Sequence, residues 1–544
     1  MKEPDQRRQR AILEIEPDRQ RSHDEALMQN QPSSEKSDPP PILAPLWRHA
    51  LERPDLCAVS DESGALSYAE LRTAIEAQLD RFRANGIAAR DPVLVLFDVC
   101  VESVVAYWAL HGIGAILVVG DPTGTRADID HYIEATGALH VVAGARADQQ
   151  VLSSSKLIVH RRTTVEGAAF GVWEKIAVGG TNPAAETVKH RSECGLILFS
   201  SGTTGKPKAI AHSREALVAL HETLLKTWKL SPTDVVLGAL PFHTIYGLIF
   251  SAASTIYAGA TLVLIERFHP ERALRSIERR EVTTAAFVPA MIIMILNYAK
   301  KDRFDCSSLR MVYSASAPIS ESDIERFSDF AGTTVICNYG MTEIPGAAVE
   351  VAGRPHQAGS AGRVSPGFEI SIRDEGGKVL PLGEVGEIAM RGPSQMLEYL
   401  GEPEMTAKRV RDGWIYSQDK GRMDAGGNVY VLGRTSEMII RGGLNISPLE
   451  IENTLASHDA VVDVAVVGPA DAVLGQIVSA FVVPLADVPR DQLKELLKQH
   501  CSDHLAPPKV PAEYFIIEEI PRNAAGKISR KELLAARDAL LGRY

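Results

Sequence analysis

Two patterns of hydrophobic residues, one with helical spacing and one of short continuous runs, alternate along the first half of this chain. Apolar residues recur at helical spacing over Tyr68 to Asn85, Val101 to Gly112 and Arg214 to Lys229. Short apolar runs, such as Pro92 to Phe97 and Ala115 to Val119, stand between helical segments and predict buried strands. Because parallel strands need crossover helices, this alternation predicts an α/β fold with a parallel sheet.

The rhythm continues and then changes towards the carboxyl end. We predict further strands at 235–240, 260–265, 283–288 and 309–314, and a helix at 270–278. Residues from about 360 to 432 carry more glycine and shorter apolar runs, which predicts an antiparallel barrel. Beyond residues 434–442, the pattern predicts a compact α+β unit with helices at 448–457 and 490–504 and strands at 461–467 and 477–483.

Chain length indicates more than one domain. At 544 residues the chain exceeds what one hydrophobic core usually holds, so two or more domains are expected. Residues 1–43 are polar and of mixed charge, which predicts a disordered N-terminal extension. We place a large domain at 44–434 and a smaller one at 435–544, which is long enough to fold on its own.

Composition excludes several classes of protein. The net charge of −11 argues against a nucleic-acid-binding protein, which presents a basic surface. No apolar run is long enough to span a bilayer. The six cysteines form no C-x-x-C pair, which predicts free thiols in a reducing compartment rather than a metal site. The N-terminus has no charged-then-apolar signal, so we expect a cytoplasmic protein.

The segment from Leu198 to Lys208 carries the strongest chemical signal. It reads Leu-Phe-Ser-Ser-Gly-Thr-Thr-Gly-Lys-Pro-Lys behind an apolar run. Glycines allow close backbone approach, and hydroxyl, N–H and ammonium groups suit a polyphosphate. It is not a P-loop, because Gly202 and Gly205 are too close together and Pro207 follows Lys206. A surface linker is the alternative, but the position behind a strand favours a nucleoside triphosphate.

Together with four later motifs, this segment resembles the adenylate-forming superfamily. Members include acyl- and aryl-CoA ligases, the adenylation domains of peptide synthetases and beetle luciferases. The later motifs are Asn338 to Glu343, Trp414 to Asp419, Gly433-Arg434 and Pro521 to Lys527, in the family's order. The resemblance implies a large N-terminal domain with parallel αβα-layered sheets plus a small β-barrel. It also implies a small α+β C-terminal domain that rotates on a hinge.

The resemblance further implies ATP-dependent activation of a small-molecule carboxylic acid. The acid would attack the α-phosphorus to give an acyl-adenylate and pyrophosphate, and a thiol, most often that of CoA, would then displace AMP. Chemistry of this kind depends on positioning and charge neutralisation more than on covalent catalysis. ATP, Mg²⁺ and CoA are therefore the implied cofactors and cosubstrates.

The family's roles fall on particular residues of this chain. Lys527 is implied as the main catalytic residue, Thr342 as the partner of the α-phosphate and Glu343 as the Mg²⁺ ligand. The implied nucleotide-binding residues are Ser201, Gly202, Thr203, Thr204, Gly205, Lys208, Asn338, Tyr339, Gly340, Asp419 and Arg434. Within this set Tyr339 would pack on the adenine and Asp419 would bind the ribose. Taken alone, Thr342-Glu343 could be a helix cap with an acidic first turn, and Lys527 a solvated side chain.

Three positions depart from the family's usual residues. Ala209 and Gln418 stand where most members carry glycine, and Ser436 stands at the hinge in place of Asp or Lys. The charged groups that the reaction needs all remain, so a nucleotide-binding protein without catalysis is the weaker alternative.

The acid and the acceptor are specified less closely. The resemblance implies an acid pocket lined by His243, Tyr246 and Ser316 together with Asn338, although His243 could equally be a core histidine. Ser316 and Asn338 replace glycines of many relatives, which predicts a shorter or polar-substituted acid. Gly442 and Gly443 favour CoA in a pantetheine tunnel, but they could form a simple tight turn. Transfer to a separate carrier protein or an amine stays open, as does a luciferase-like oxygenase.

Overall fold

A computed structural model describes residues 39–147, 157–163, 170–178, 190–200, 207–300, 302–485, 489–522 and 527–542. Most of the predicted extension 1–43 lies outside the described residues, as does the loop 201–206 with Ser201, Gly202, Thr203, Thr204 and Gly205. The described chain begins with a short turn in which Ile42 and Leu43 are already buried.

The larger of two mixed sheets has nine strands. In spatial order they are Arg363–Val364, Ile344–Val349, Val335–Met341, Met311–Ser314, Thr284–Phe287, Val235–Gly238, Thr261–Leu264, Cys57–Ser60 and Ala65–Ser67. The strands from Val335–Met341 to Cys57–Ser60 run parallel, and the outer pairs are antiparallel. The parallel centre confirms the predicted α/β fold.

A second mixed sheet has eight strands. In spatial order they are Glu398–Tyr399, Lys208–Ser213, Cys194–Ser200, Ile116–Val119, Pro92–Leu96, His140–Ala143, Ile158–Thr163 and Val172–Val178. The strand that leads into the phosphate segment, Cys194–Ser200, pairs in parallel with Ile116–Val119 and antiparallel with Lys208–Ser213. Ser200 and Lys208, on the two sides of residues 201–206, are therefore paired with each other in this sheet.

The helix Val101–Ile113 joins the two sheets, and all of its residues are buried. One core cluster contains this helix together with Val93 of the eight-stranded sheet and Val236 of the nine-stranded sheet. The next residues along these strands, Leu94 and Leu237, belong to separate clusters. Side chains that alternate between the two faces of a strand explain this division. The result is the layered αβα arrangement that the resemblance implied.

The other helices of the large part begin at positions where the sequence satisfies their free N–H groups. Ser67 Oγ accepts a hydrogen bond from Glu70 N at 3.3 Å, and Ser67 N donates to Glu70 Oε2 at 2.7 Å. Proline opens three further helices, where its missing N–H costs nothing. The helices are Ala44–Glu52, Tyr68–Ala84, Arg126–Thr136, Arg214–Trp228, Ser254–Tyr257, Pro270–Arg280, Pro289–Ala299, Glu321–Ala331 and Pro403–Arg409, with a π-helical stretch at Tyr246–Ala253.

An antiparallel sheet of five strands follows. Its strands are Glu369–Arg373, Gly386–Arg391, Trp414–Met423, Val410–Arg411 and Val429–Arg434, the last pairing with Trp414–Met423. All of these pairs are antiparallel, as predicted. The pairs found among the described residues form a sheet and do not close it into a barrel.

The C-terminal part is a compact α+β unit, as predicted. One sheet contains Leu444–Ile446, Ile439–Arg441, Gly475–Gln476 and Ala470–Asp471, and the other contains Val461–Val467, Ser479–Pro484 and Glu513–Ile516. The helices are Pro448–Ala456, Arg490–His504 and Arg530–Leu540, with 3-10 turns at Thr435–Glu437 and Pro507–Lys509. It has core clusters of its own. It contacts the large part where Ser322 Oγ donates to Ala456 O at 3.1 Å.

The predicted elements agree with the structure to within a few residues. The strands Ile158–Thr163 and Val172–Val178 were not predicted, because their polar and charged residues give a weak alternation at the edge of a sheet. All six cysteines are free thiols, as expected. Within the described ranges, no helix is both long enough and apolar enough to cross a membrane.

Candidate active site

Asp419 is a buried carboxylate on the strand Trp414–Met423, directly opposite Arg434 on the neighbouring strand. Its Oδ2 accepts a hydrogen bond from the Tyr339 hydroxyl at 2.7 Å, and Arg434 Nε lies 3.4 Å from its Oδ1. Burial raises the pKa of Asp419, while Tyr339 and the positive charges of Arg434 and Lys527 favour the ionised form. Residues from three separate motifs therefore meet at one carboxylate.

Lys527 reaches this point from the C-terminal unit. Its ammonium group interacts electrostatically with Asp419, Glu343 and Arg434 of the large part, although its side chain keeps access to solvent. Burial lowers the pKa of Lys527 and Arg434 lowers it further, whereas Asp419 and Glu343 oppose the shift. A cation of the small unit thus lies within electrostatic range of two carboxylates of the larger one.

Glu343 is a second buried carboxylate, and a tyrosine holds it in place. Its Oε1 accepts a hydrogen bond from the Tyr399 hydroxyl at 2.5 Å, and that hydroxyl accepts one from Arg409 Nε at 3.0 Å. Lys208 Nζ lies 5.6 Å from the centroid of the Tyr399 ring. Sequence reasoning missed both Tyr399 and Arg409. Tyr399 lies 56 residues from its partner Glu343 and belongs to no recognised local motif.

The carboxylate ligand that this site offers fits a magnesium ion that binds together with a nucleotide. In the described parts of the chain, no group of three or more His, Cys, Asp or Glu side chains could hold a metal ion. Mg²⁺ usually keeps several water molecules and takes only one or two carboxylates, with phosphate oxygens completing its octahedron. A single buried carboxylate anchored by Tyr399, near Lys208 and Lys527, matches that requirement.

Two other residues of the motif Asn338 to Glu343, Thr342 and Gly340, are held by close contacts with neighbouring segments. Thr342 is half-buried, and its carbonyl oxygen interacts with His212 Nε2 at 2.8 Å. Burial lowers the pKa of His212 to about 4, so this histidine is neutral near pH 7 and donates from Nε2. A Cβ atom on Gly340 would lie 2.8 Å from Gly346 N, so only glycine fits there.

The predicted acid-pocket residues lie at the carboxyl edge of the nine-stranded sheet. The Tyr246 hydroxyl donates to Tyr313 O at 3.1 Å, next to the strand end that leads into Ser316. Asn338 lies on the adjacent strand, and its buried Nδ2 has no hydrogen-bond partner within the described ranges. His243 Nδ1 is 3.7 Å from Asp121 Oδ1, and burial lowers the pKa of His243. Ligands of α/β proteins bind at this edge.

Two departures from the usual motif are accommodated by local contacts. Gln418 has φ of 64°, a conformation that favours glycine, and its N donates to Glu387 Oε1 at 2.9 Å. Its side-chain oxygen accepts a hydrogen bond from Arg409 Nη2 at 3.2 Å. Ala209 is buried opposite Phe199 in the eight-stranded sheet. Neither substitution removes a charged group from the site.

Gly442 and Gly443 form a turn between two short strands of the C-terminal unit. Their φ angles are 57° and 83°, and Gly442 N donates to Leu474 O at 2.8 Å. Both glycines are exposed. Among the described residues, no recorded hydrogen bond or ion pair connects this turn with Asp419 or Glu343. Their part in binding the acceptor stays a prediction.

Two buried carboxylates of the large unit and a lysine of the small one thus form a charged site, and the fold around it is that of a known class of nucleotide-dependent enzyme. Residues 46–400 match the family model described as AMP-binding enzyme, and residues 450–527 match the AMP-binding enzyme C-terminal domain. The protein belongs to the family of AMP-binding enzymes, whose members form acyl-adenylates.

Individual relatives agree with this assignment over almost their whole length. The chain is 30% identical over 493 residues to a 2-succinylbenzoate–CoA ligase of Geobacillus sp. (strain WCH70), covering 90% of this chain and 96% of the relative. It is 31% identical over 506 residues to the fatty acid–[acyl-carrier-protein] ligase ScoC of Streptomyces coeruleorubidus, covering 89% and 94%. The ATP-bound crystal structure of MatB from Rhodopseudomonas palustris superposes with a TM-score of 0.79 at 26% identity, covering 92% and 99%.

Proposed function

We propose that this protein is an AMP-forming acid–CoA ligase that acts on a short or polar-substituted carboxylic acid. The observation that carries the proposal is the electrostatic interaction of Lys527, in the C-terminal unit, with Asp419 and Glu343 of the large unit. A preorganised cation at this point would stabilise negative charge that develops on the reacting carboxylate and the α-phosphate. Magnesium, when bound, would neutralise phosphate charge, and Glu343 is the residue that would hold it.

Each remaining group has a task in the first half-reaction. Asp419 accepts hydrogen bonds from the ribose hydroxyls, and Arg434 balances its charge from the neighbouring strand. Tyr339 keeps Asp419 oriented and presents its ring to the adenine. Thr342 donates to the α-phosphate. Ser201, Gly202, Thr203, Thr204, Gly205 and Lys208 surround the terminal phosphates, which leave as pyrophosphate. Pyrophosphate is displaced as the carboxylate of the acid attacks the α-phosphorus in line with it: the new bond from the carboxylate oxygen to phosphorus forms while the bond from phosphorus to the bridging oxygen of pyrophosphate breaks.

CoA is the acceptor we propose for the second half-reaction. The name of the Geobacillus relative supports CoA, whereas that of the Streptomyces relative supports a carrier protein. After the C-terminal unit rotates about Ser436, Gly442 and Gly443 would line the path of the pantetheine arm, because residues without side chains leave room for it. A separate carrier protein is the second candidate, since its phosphopantetheine arm has the same chemistry as that of CoA.

Ser316 and Asn338 limit the acid. Each places a side chain where a glycine would leave space, and the buried Asn338 amide has an unused donor that a polar substituent of the acid could satisfy. His243 and Tyr246 are the other residues that we propose to line the pocket. A long unbranched fatty acid would leave that donor buried without a partner, so we expect it to be a poor substrate.

The direct test is AMP formation from ATP across a panel of carboxylic acids, with and without CoA, and with products identified by mass spectrometry. AMP together with an acyl-CoA for a short or polar acid supports the proposal. Adenylate that forms but leaves CoA untouched would move the assignment to a carrier protein or an amine. Efficient use of palmitate without activity on small acids would refute the proposed pocket. Acid-independent AMP release, or none, would refute the ligase itself.

Replacing Lys527 tests the observation that carries the proposal. We expect Lys527→Ala to slow acyl-adenylate formation about 100-fold or more, because one preorganised electrostatic donor typically contributes that much. ATP binding by calorimetry should change little. Lys531→Ala removes a lysine from the exposed surface of the adjacent helix and serves as the matched control. Equal adenylation rates in both variants would exclude Lys527 from the reaction.

A further inference from the structure

Arg409 makes three hydrogen bonds that connect two segments of the proposed nucleotide site. It lies at the end of the helix Pro403–Arg409. Its Nε donates to the Tyr399 hydroxyl at 3.0 Å, its Nη1 to Tyr416 O at 2.7 Å and its Nη2 to Gln418 Oε1 at 3.2 Å. A planar guanidinium group with every edge engaged has little freedom to move.

One end of this network is the Glu343 carboxylate. The Tyr399 hydroxyl receives the hydrogen bond from Arg409 and passes its own proton towards Glu343 Oε1 at 2.5 Å. Arg409 therefore fixes the direction in which the tyrosine hydroxyl donates. Because the Tyr399 hydroxyl accepts one hydrogen bond from Arg409 and donates one to Glu343, its orientation is fixed. Tyr399 therefore holds the Glu343 side chain in one rotamer.

The other end is the strand segment that precedes Asp419. Arg409 contacts the carbonyl of Tyr416 and the side chain of Gln418, which brackets the positive-φ position immediately before Asp419. A non-glycine residue in this conformation is strained by about 1 kcal/mol and persists only when neighbours hold it. Arg409 and Glu387 are those neighbours on the side-chain and backbone sides of Gln418.

We propose that Arg409 is a positioning residue that couples the metal-holding carboxylate Glu343 to the ribose-holding strand of Asp419. These carboxylates belong to different segments and must meet opposite ends of one nucleotide at a fixed separation. The helix that carries Arg409 has no fully buried residue and packs against the core only in part, through Met405, so packing of that helix alone does not account for the three contacts of Arg409. The inference rests on the proposed nucleotide site but does not depend on the identity of the acid.

The test compares Arg409→Ala and Arg409→Lys with Lys408→Ala in the full-length protein. Lys408 is the preceding residue on the same helix and is exposed, so its loss controls for changes in helix charge. The measurements are the affinity for ATP by calorimetry with Mg²⁺ and with EDTA, the Mg²⁺ concentration for half-maximal ATP binding, and the KM values for ATP and for the acid.

We expect Arg409→Ala to raise the half-saturating Mg²⁺ concentration and the KM for ATP about tenfold or more, as loss of outer-shell support to a metal ligand typically does. The KM for the acid should stay within about twofold, because the hydrogen bonds of Arg409 recorded among the described residues go to Tyr399, Tyr416 and Gln418 and not to the predicted acid-pocket residues. Arg409→Lys should recover part of the loss, since an ammonium group can make one of the three contacts. Lys408→Ala should match the wild type.

Two results would overturn the inference. One is an Arg409→Ala protein whose Mg²⁺ and ATP affinities equal those of the wild type. The other is an equal rise in the KM values for ATP and for acid, which indicates general disruption of the structure. If Arg409→Ala does not fold, Tyr399→Phe decides, because it keeps the ring and removes only the hydroxyl: unchanged Mg²⁺ dependence refutes the coupling. Wild-type ATP binding without acid turnover would refute the proposed function while leaving this comparison intact.

Discussion

His356 is expected to make the stability of the large domain depend on pH in the alkaline range. Its Nδ1 lies 2.7 Å from Glu350 Oε1 and its Nε2 lies 2.8 Å from Glu321 Oε2. Glu321 starts the helix Glu321–Ala331, and Glu350 follows the strand Ile344–Val349 and also accepts from Cys337 N at 2.8 Å. The imidazolium thus ties a helix and a loop to the strand beside the acid pocket. We predict that His356→Gln removes this pH dependence.

The magnitude follows from the protonation equilibrium. Hydrogen bonds to Glu321 and then Glu350 raise the pKa of His356 from 6.5 to about 10, although burial opposes the shift. A tenfold change in proton affinity is worth about 1.4 kcal/mol. This rise in the pKa of His356 therefore corresponds to at most about 5 kcal/mol in the free energy of unfolding. The full contribution is present below pH 6.5, where the histidine is protonated in both states, and it disappears as the pH rises through about 10. Between about pH 7.5 and 9.5, the contribution of His356 to the free energy of unfolding falls by about 2 kcal/mol. Because Glu321 is 39% exposed, we expect solvent screening to reduce it to about 1 kcal/mol.

Differential scanning calorimetry at pH 6.5, 7.5, 8.5 and 9.5 would measure this loss. The transition of the large domain should fall more steeply with pH in the wild type than in His356→Gln, and the two curves should converge near pH 10. His458→Gln is the control, because His458 lies in the C-terminal unit and is not held between two carboxylates as His356 is. Parallel pH curves for wild type and His356→Gln would refute the ion-paired state of this histidine.

Two other substitutions test particular features of the fold. Ser316 has φ of 74°, so Ser316→Gly should relieve about 1 kcal/mol of backbone strain, partly offset by the greater freedom of glycine in the unfolded chain, and should lower the KM for bulkier acids. Ser316→Ala keeps the strain and is its control; equal KM profiles for the two variants would show that the side chain does not limit the pocket. Arg310 pairs through two nitrogens with Asp234, which is 3% exposed, at 2.6 and 2.9 Å. Arg310→Leu should cost about 3 kcal/mol in the free energy of unfolding because it leaves a buried charge, and adding Asp234→Asn should recover part of that cost. Denaturant unfolding measures both variants, and a double variant no more stable than the single one would contradict the reasoning.

Much of the architecture could be predicted from local patterns. The strands that end at Gly238, Phe287 and Ser314 are continuous apolar runs, because both faces of a central parallel sheet are buried. The capped helix Tyr68–Ala84 shows both its amphipathic spacing and its start signal in the sequence. The strand Val172–Val178, at the edge of the eight-stranded sheet, lacks that signal because Glu174 and Lys175 interrupt its apolar residues.

The site could be predicted only where its residues form contiguous motifs. Tyr339, Asp419 and Lys527 come from three such motifs, and the structure brings their charges together. Arg409 and Tyr399 could not be predicted, because their importance comes from contacts made after the chain has folded. The side-chain hydrogen bond between Arg409 and Gln418 depends on the unusual backbone of Gln418, which no propensity scale predicts for glutamine.

The separate cores of the two units have a consequence for how such an enzyme changes over time. Val466 and Leu497 pack in a cluster of the C-terminal unit, whereas Val95 and Val236 pack in a cluster of the large one, and among the described residues no cluster contains members of both. A mutation that reshapes the acid pocket therefore leaves the folding of the unit that carries Lys527 untouched. Preference for the acid and preference for the acceptor can then drift independently under selection. One ancestral pair of units can in this way give rise to many combinations of acid and acceptor.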